Sequence, residues 1–204
     1  MFFGCRYIER YQCNRWWPRR PDMLRRLQLD HKNISVLLNI LAAQSGQLAT
    51  GGAVNYRVMM DVLDYMQSYA EHSHHPVEDI VYRRLAAQAS LNDLSERLFE
   101  EHKQLTRITE AFHTTLNLVL NDNPVPIDRL KEELENYISM QRSHMRYEEE
   151  IIFPLLKQYL VEADWECLAD ECQQQLTDDP LFSDNIKRDC QELRSLIKGS
   201  EFVD

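Results

Sequence analysis

Apolar residues recur at intervals of three and four along most of the 204-residue chain, a spacing typical of amphipathic α-helices. Four long segments carry this pattern, at about residues 23–45, 53–88, 91–121 and 126–161. The first ends before the connector SGQLATGG, and the third stops at NDNPVP, where prolines and an Asn/Asp cluster break a helix. Because the connections are short, we predict an all-α, up-down-up-down antiparallel four-helix bundle.

Two parts of the chain lie outside the predicted bundle, which covers residues 23–161. Residues 1–22 are rich in arginine and aromatic side chains and predict a basic arm. This arm is interpreted either as a floppy segment before a translation start at Met23, or as a membrane-surface or partner-docking anchor. Residues 162–204 predict two shorter helices, each with one apolar stripe. These stripes must pack on the bundle or form a homodimer through the C-terminal helices.

Charge, hydropathy and cysteine content exclude several classes of protein. A net charge of −10 argues against a nucleic-acid partner, which needs a basic face. No apolar run approaches the roughly 18 residues that span a membrane, and the N-terminus does not have the pattern of a secretory signal. The five cysteines form no CxxC pair, which indicates reduced thiols in the cytoplasm.

The apolar stripe of each predicted helix includes one histidine, and two of the four stripes add a glutamate one turn later. These candidate site residues are His31, His74, Glu78, His102, His144 and Glu148. At a rise of about 1.5 Å per residue, all six groups fall at a similar depth, so one layer of the bundle can hold them.

The stretch HSHHPVEDIVY contains three histidines, but the helical period assigns only His74 to the inner face. The same period predicts that His72 and His75 face solvent, with His75 on the polar side of the helix beside Tyr82. Pro76 lacks an amide hydrogen and is expected to bend the helix. We expect this bend to set how His74 and Glu78 are presented.

A single histidine on an apolar stripe is usually a core residue, and HxxxE alone is a weak motif. Two buried carboxylates without a cation, however, cost several kcal/mol each, so the convergence of six groups predicts a metal centre. The donor set exceeds the four ligands of a closed zinc site, and calcium and magnesium prefer oxygen throughout. Mixed nitrogen and oxygen ligation favours a pair of iron ions, with manganese or a mixed centre next.

The sequence around these residues resembles the hemerythrin-like, HHE cation-binding domain over about residues 23–160. The matching motifs are LDHKNI, HHPVEDIVY, FEEHKQL and HMRYEEEIIFP. The resemblance implies a non-haem di-iron site, oxo- or hydroxo-bridged, with His74 and His144 as terminal ligands. It also implies that the carboxylates of Glu78 and Glu148 bridge the two ions. His31 and His102 would complete the two coordination spheres.

Oxygen-carrying hemerythrins are similar but place a second histidine one turn after the ligand on the third helix, where this chain has Thr106. His113 is about 16 Å farther along that helix, too far to replace it. On the fourth predicted helix, Glu148 follows His144 by four residues, one residue nearer than the carboxylate ligand in oxygen-carrying hemerythrins. We therefore expect one histidine fewer and water, hydroxide or an exogenous molecule in the extra position, which argues against reversible oxygen carriage.

Three functions fit this sequence. The first is a cytoplasmic di-iron binding protein that senses or handles O₂, NO or peroxide, with that small molecule as its partner. The second is a di-iron enzyme or iron donor in oxidative or nitrosative stress, of the peroxidase, NO reductase or iron–sulfur repair type. Repair-type relatives carry an extra cysteine-bearing N-terminal domain, for which the segment with Cys5 and Cys13 is too short. The third is a structural bundle with vestigial histidines.

Overall fold

The computed structural model describes residues 23–89, 91–183 and 191–199, and most of these residues are helical, with no strand among them. The predicted basic arm at residues 1–22, with its two cysteines, lies outside the described residues. The same holds for Ile186 and Cys190, which the sequence assigns to the last helix. The all-α class is therefore confirmed for the described part of the chain.

Helix α1 (Met23–Thr50) is longer than the sequence predicts. The helix continues through the start of SGQLATGG, because Leu48 is buried and the single Gly46 costs only about 1 kcal/mol relative to alanine. It ends at Gly51, which adopts the left-handed conformation with φ 68°. The Gly52 amide then donates to the carbonyl of Gln47 at 2.9 Å, as in a glycine-capped helix end.

The second long helical stretch is continuous but changes its hydrogen-bond register twice. It consists of α2 (Tyr56–Tyr65), a π-helical segment π1 (Met66–His74) and α3 (His75–Ala89). The stretch begins at Asn55, whose side chain accepts a hydrogen bond from the Val58 amide at 3.1 Å. In π1 the amides bond five residues back rather than four, so each turn takes up more residues than an α-helical turn.

The third and fourth stretches follow the predicted bounds closely. Helix α4 (Asn92–Leu120) ends in a turn where Asp122 has a φ of 57°. The fourth stretch consists of α5 (Ile127–Tyr147), a second π-helical segment π2 (Glu148–Ile152) and α6 (Phe153–Tyr159).

Each π segment ends two residues before a proline, at Pro76 and at Pro154. A proline ring inside an α-helix clashes with the carbonyl four residues earlier and leaves that carbonyl without its amide donor. A wider turn just before the proline relieves both problems, and insertions of this kind account for bends in helices. The sequence predicts the bend at Pro76, and the structure accommodates the proline through a change of register.

The long helical stretches pack together as a helical bundle. Helix α1 packs on α5 and α2, while α4 packs on α5, α3 and α2. Their apolar side chains form two separate clusters, one including Leu38 and Phe112 and the other including Leu27 and Leu156. The predicted histidines and glutamates belong to neither cluster, so polar side chains interrupt the core of the bundle.

The C-terminal extension packs on the bundle. Helix α7 (Glu162–Glu171) lies on α3, and α8 (Gln191–Gly199) lies on α2. Leu168 joins one apolar cluster, and Leu193 and Ile197 join the other. These contacts bury Leu168, Leu193 and Ile197 within one chain, and a homodimer stays a prediction. Within the described ranges, no helix is both long and apolar enough to cross a membrane.

Candidate metal centre

All six predicted site residues are buried. Glu78 and Glu148 have no exposed surface, and the relative exposures of His31, His74, His102 and His144 are 1%, 2%, 5% and 6%. The inward orientation predicted for these side chains is therefore confirmed. His72 is exposed, with its Nδ1 against the Gln67 carbonyl, so the prediction that it faces away is confirmed as well.

Three imidazoles approach the Glu78 carboxylate through their Nε2 atoms. The distances are 3.3 Å from His31 and from His74 to Oε1, and 3.4 Å from His102 to Oε2. These three histidines come from three different helical stretches. Glu78 therefore lies at the point where the stretches converge.

Glu148 occupies the equivalent place on the fourth helical stretch. Its Oε1 is 3.3 Å from Nε2 of His144 and 3.7 Å from Nε2 of His102, and its Oε2 is 3.3 Å from Nε2 of His31. Two carboxylates and four imidazole nitrogens thus face one another in a single layer, as the depth argument predicts.

His75 is buried in this layer as well, at 6% exposure, and the prediction that it faces solvent is wrong. Its ring stacks on the His102 ring with centroids 4.4 Å apart and planes 11° apart, and it lies 6.0 Å from the His144 ring. The physical reason is π1: a period of 3.6 residues does not hold across a π segment, so His74 and His75 both point inward. The layer therefore contains five imidazoles instead of the four that the sequence predicts.

Tyr82 is the other residue that sequence reasoning assigned to the polar face by mistake. It is 2% exposed, and its hydroxyl lies 2.8 Å from Glu148 and 3.2 Å from Glu78. A phenol between the two carboxylates can donate to either of them. Its spacing of four residues from Glu78 in VEDIVY is a signal that was available in the sequence.

Four of the five histidines have their outer nitrogen, Nδ1, against a carboxylate. The pairs are His74 with Asp30 at 3.2 Å, His102 with Asp79 at 2.8 Å, His144 with Glu101 at 3.2 Å and His31 with Glu149 at 3.0 Å. Such a partner fixes the proton on Nδ1 and leaves the Nε2 lone pair free toward the layer.

These outer carboxylates form a closed ring around the bundle. Each is adjacent in sequence to a candidate site residue on its own helix: Asp30 to His31, Asp79 to Glu78, Glu101 to His102 and Glu149 to Glu148. Each contacts the histidine of the next helical stretch, and the fourth stretch returns to the first. The ring therefore ties the orientation of each imidazole to the neighbouring helix.

The fourth stretch also departs from the predicted inner face beyond Glu148. Ile151, predicted to face inward, is 44% exposed, while Ile152 and Phe153 are buried. The cause is again a π segment, π2, which shifts the phase after Glu148. His113 is bonded to Asp64 at 3.0 Å away from this layer, in line with the prediction that it does not replace Thr106.

Comparison with known protein families agrees with this geometry. The Hemerythrin HHE cation binding domain matches residues 22–156. The chain belongs to this hemerythrin family. A search of curated proteins finds no match to the chain. The matched range holds every histidine and glutamate described above, whereas helices α7 and α8 lie beyond it.

The pKa values of groups in this layer of the hemerythrin domain show that positive charge stabilises its two buried carboxylates. Burial alone would raise the pKa of Glu78 and Glu148. Imidazoles beside them, above all His74 for Glu78 and His144 for Glu148, instead hold the pKa of Glu78 well below its usual range and lower that of Glu148 to about 2. Burial opposes charging of His31, but the close carboxylates of Glu148 and Glu78 raise its pKa to about 11. Protons on imidazoles thus balance the carboxylates in the absence of a cation.

Unsatisfied atoms provide a test of whether a cation fits. The buried atoms Oε2 of Glu78, Oε2 of Glu148, Nε2 of His102 and Nε2 of His144 have no hydrogen-bond partner among the described residues. Leaving such atoms unpaired costs free energy, and they face one another in the layer. Carboxylate oxygens and imidazole nitrogens are all metal-ligand atoms, so the residues fit a bound cation.

The donor atoms of the hemerythrin domain divide into two overlapping groups that can hold a metal ion. One group is His31, His74 and Glu78, and the other is His75, Glu78, His102 and His144. Within each group the ligand atoms lie within 4.8 Å of one another. Glu78 belongs to both groups, so the two candidate positions are adjacent and unequal in imidazole number.

Proposed function

We propose that this chain is a non-haem di-iron binding protein that senses or handles O₂, NO or peroxide. The observation that carries the proposal is the buried layer of five imidazoles and two carboxylates, grouped into two adjacent metal-binding sets. One ion would be held by His31 and His74, the other by the histidines at positions 75, 102 and 144. Glu78 and Glu148 would contribute to both positions.

The donor chemistry supports iron over the alternatives. No thiolate lies among the candidate donors, and with both carboxylates shared, the position of His75, His102 and His144 has five donors, one more than a four-coordinate zinc site. Nitrogen-rich ligation disfavours calcium and magnesium, whereas imidazole and carboxylate together suit iron, with manganese or a mixed pair next. An iron pair supplies redox change and coordination positions for a small ligand. The protein supplies orientation through the carboxylate ring and excludes water with apolar clusters on the adjoining helical turns.

The unequal imidazole number supports binding of an external molecule. The group with His31 and His74 has one imidazole fewer than its neighbour, so the two ions would differ in how readily each accepts a small diatomic or peroxide ligand. The fifth imidazole from His75 also removes the argument against reversible oxygen carriage that rested on Thr106. Oxygen is therefore the first ligand to test.

Two further parts of the proposal are an up-down-up-down order of the four helical stretches and a cytoplasmic location. The carboxylate ring runs from the first stretch to the fourth in chain order, which supports an up-down-up-down bundle. Cys167 and Cys172, the cysteines in the described part of the chain, are free thiols. Free thiols support a reducing, cytoplasmic setting.

The test is anaerobic reconstitution of the full chain with Fe(II), followed by exposure to oxygen. We expect two iron ions per chain and the charge-transfer absorption of an oxo-bridged pair. His72→Ala is the matched control, because His72 is an exposed neighbour of the site and its loss should change neither result. A wild-type protein that takes up no iron, or that accepts zinc alone, contradicts the proposal.

A further inference from the structure

We propose that His75 is the exchangeable ligand of this centre, which leaves its position when a small anion binds. The inference rests on the proposed function, because it assumes a metal pair in the layer. It goes further by assigning different roles to imidazoles that the sequence cannot separate. The five imidazoles differ in the contacts that hold each ring in place.

The ring of carboxylates closes without His75. Asp79 orients His102 at 2.8 Å and Glu101 orients His144 at 3.2 Å, so two of the three imidazoles in this group have an outer anionic partner. Both imidazoles of the other group have one as well. Among the described residues, no carboxylate bonds the His75 ring.

His75 is instead placed by ring contacts. It stacks on His102 at 4.4 Å and lies 5.5 Å from the His74 ring and 6.0 Å from the His144 ring. Stacking limits how the ring tilts, but it is far less directional than a charged hydrogen bond. The geometry therefore sets His75 apart from the four histidines of the ring.

An outer partner strengthens a metal-bound imidazole in two ways: it fixes the ring and it raises the basicity of the ligating nitrogen. Removing such a partner typically weakens metal binding by about 10- to 100-fold. Because no carboxylate of the described residues bonds its ring, His75 is the weakest of the five candidate ligands. Its departure leaves the metal with His102, His144 and the shared carboxylates, so the ion itself stays.

The charge around His75 indicates which class of molecule takes its place. Negative side chains stand behind the other four imidazoles, and they repel an approaching anion. In the described part of the chain, His75 has no such outer carboxylate, and the rings that it contacts are those of His74, His102 and His144. A small anion that ligates through one atom needs only the single coordination position that the ring gives up.

The experiment uses the full chain reconstituted with Fe(II), with azide as the probe. Iron per chain and azide affinity, followed by absorption, are measured for wild type, His75→Ala, His102→Ala and the exposed control His72→Ala. We expect His75→Ala to keep two irons and to bind azide about ten-fold more tightly, because no internal ligand has to be displaced. His102→Ala should lose iron, and His72→Ala should match wild type.

Two results overturn the inference while leaving the proposed function intact: loss of an iron ion in His75→Ala, or azide affinity unchanged from wild type. His75→Gln is measured in parallel because glutamine keeps more of the side-chain volume. Loss of an iron ion or unchanged azide affinity in the folded His75→Gln variant would also overturn the inference. A wild-type chain that binds no iron refutes the proposed function and this inference with it.

Discussion

The two π segments solve the same problem with different consequences for the site. Each ends two residues before a proline and lies in a helical stretch that carries a histidine and a glutamate. In π1 the wide turns come before Glu78 and bring His74 and His75 to the same side. In π2 the wide turn begins at Glu148, after His144. It buries Ile152 and leaves Ile151 exposed.

The position of a π segment relative to its glutamate therefore decides whether it changes the chemistry or the packing. A π segment placed before the glutamate adds a candidate ligand, and one that starts at the glutamate repacks the neighbouring apolar cluster. Both prolines are visible in the sequence, but only one of them changes the number of imidazoles.

The largest effect should come from the two glutamates themselves. Glu78→Ala should abolish binding of both metal ions, because Glu78 belongs to both candidate groups. Glu148→Ala should weaken binding less and leave measurable metal, because Glu148 belongs to neither group of ligand atoms that lie within 4.8 Å of one another. Iron per chain after reconstitution checks this order, and equal loss in the two variants would show that the stretches contribute alike.

Replacing the prolines tests the cause assigned to each π segment. Pro76→Ala should let the helix return to α-register, turn His75 outward and lower metal affinity by roughly 10-fold, comparable to losing one supporting group. Pro154→Ala is the matched variant and should leave affinity within about two-fold, since its π segment moves apolar side chains. Competition with a chelator measures both, and identical affinities for the two variants would break the comparison.

The outer carboxylates of the two stretches should differ in a similar way. Asp79→Asn removes the 2.8 Å partner of His102 and should weaken metal binding by about 10- to 100-fold. Glu149→Gln removes the partner of His31, but the Glu149 side chain is 52% exposed, so water replaces it and the loss should be smaller. Metal titrations of the two variants give the ratio, and a larger loss for Glu149→Gln would contradict this ranking.

The smallest effect concerns the stability of the metal-free protein as pH changes. The pKa of His31 is raised from 6.5 to about 11, so its contribution is complete below 6.5 and is lost as pH rises toward 11. The pKa of Glu148 is lowered from 4.5 to about 2, so its contribution is complete above 4.5 and is lost as pH falls toward 2. Stability should therefore be highest between 4.5 and 6.5.

Urea unfolding of the metal-free chain across this pH range measures that profile. His31→Gln should flatten the alkaline side, and it should also weaken the acid side, because His31 helps to lower the pKa of Glu148. Bound metal should also flatten the alkaline side, because the ion replaces the proton on His31. A metal-free protein that gains stability above 6.5 would contradict the assignment.

Much of this site could be predicted because it lies on regular helix. His31 and His102 are in uninterrupted α-helices, so a period of 3.6 residues gives their faces correctly. The same period failed for His75 and Ile151, which lie immediately after π1 and within π2. A proline predicts a disturbed helix, but whether the disturbance is a kink or a π segment depends on packing with neighbouring helices.

The carboxylate ring could not be predicted for a different reason. Asp30 and Asp79 are next to candidate site residues in sequence, yet their partners are on other helices. Which outer nitrogen a carboxylate reaches depends on the relative rotation and height of two helices, and hydrophobic periodicity sets neither with sufficient accuracy. The end of α1 was missed because burial of Leu48 outweighs the weak helix preference of Gly46.

The most direct measurement of the central claim is anomalous diffraction at the iron edge from crystals of the reconstituted protein. We predict two peaks between Glu78 and Glu148, one beside His31 and His74 and the other beside His102 and His144, with the His75 ring directed at the second. A single peak, peaks outside this layer, or no peak at all would contradict a di-iron centre.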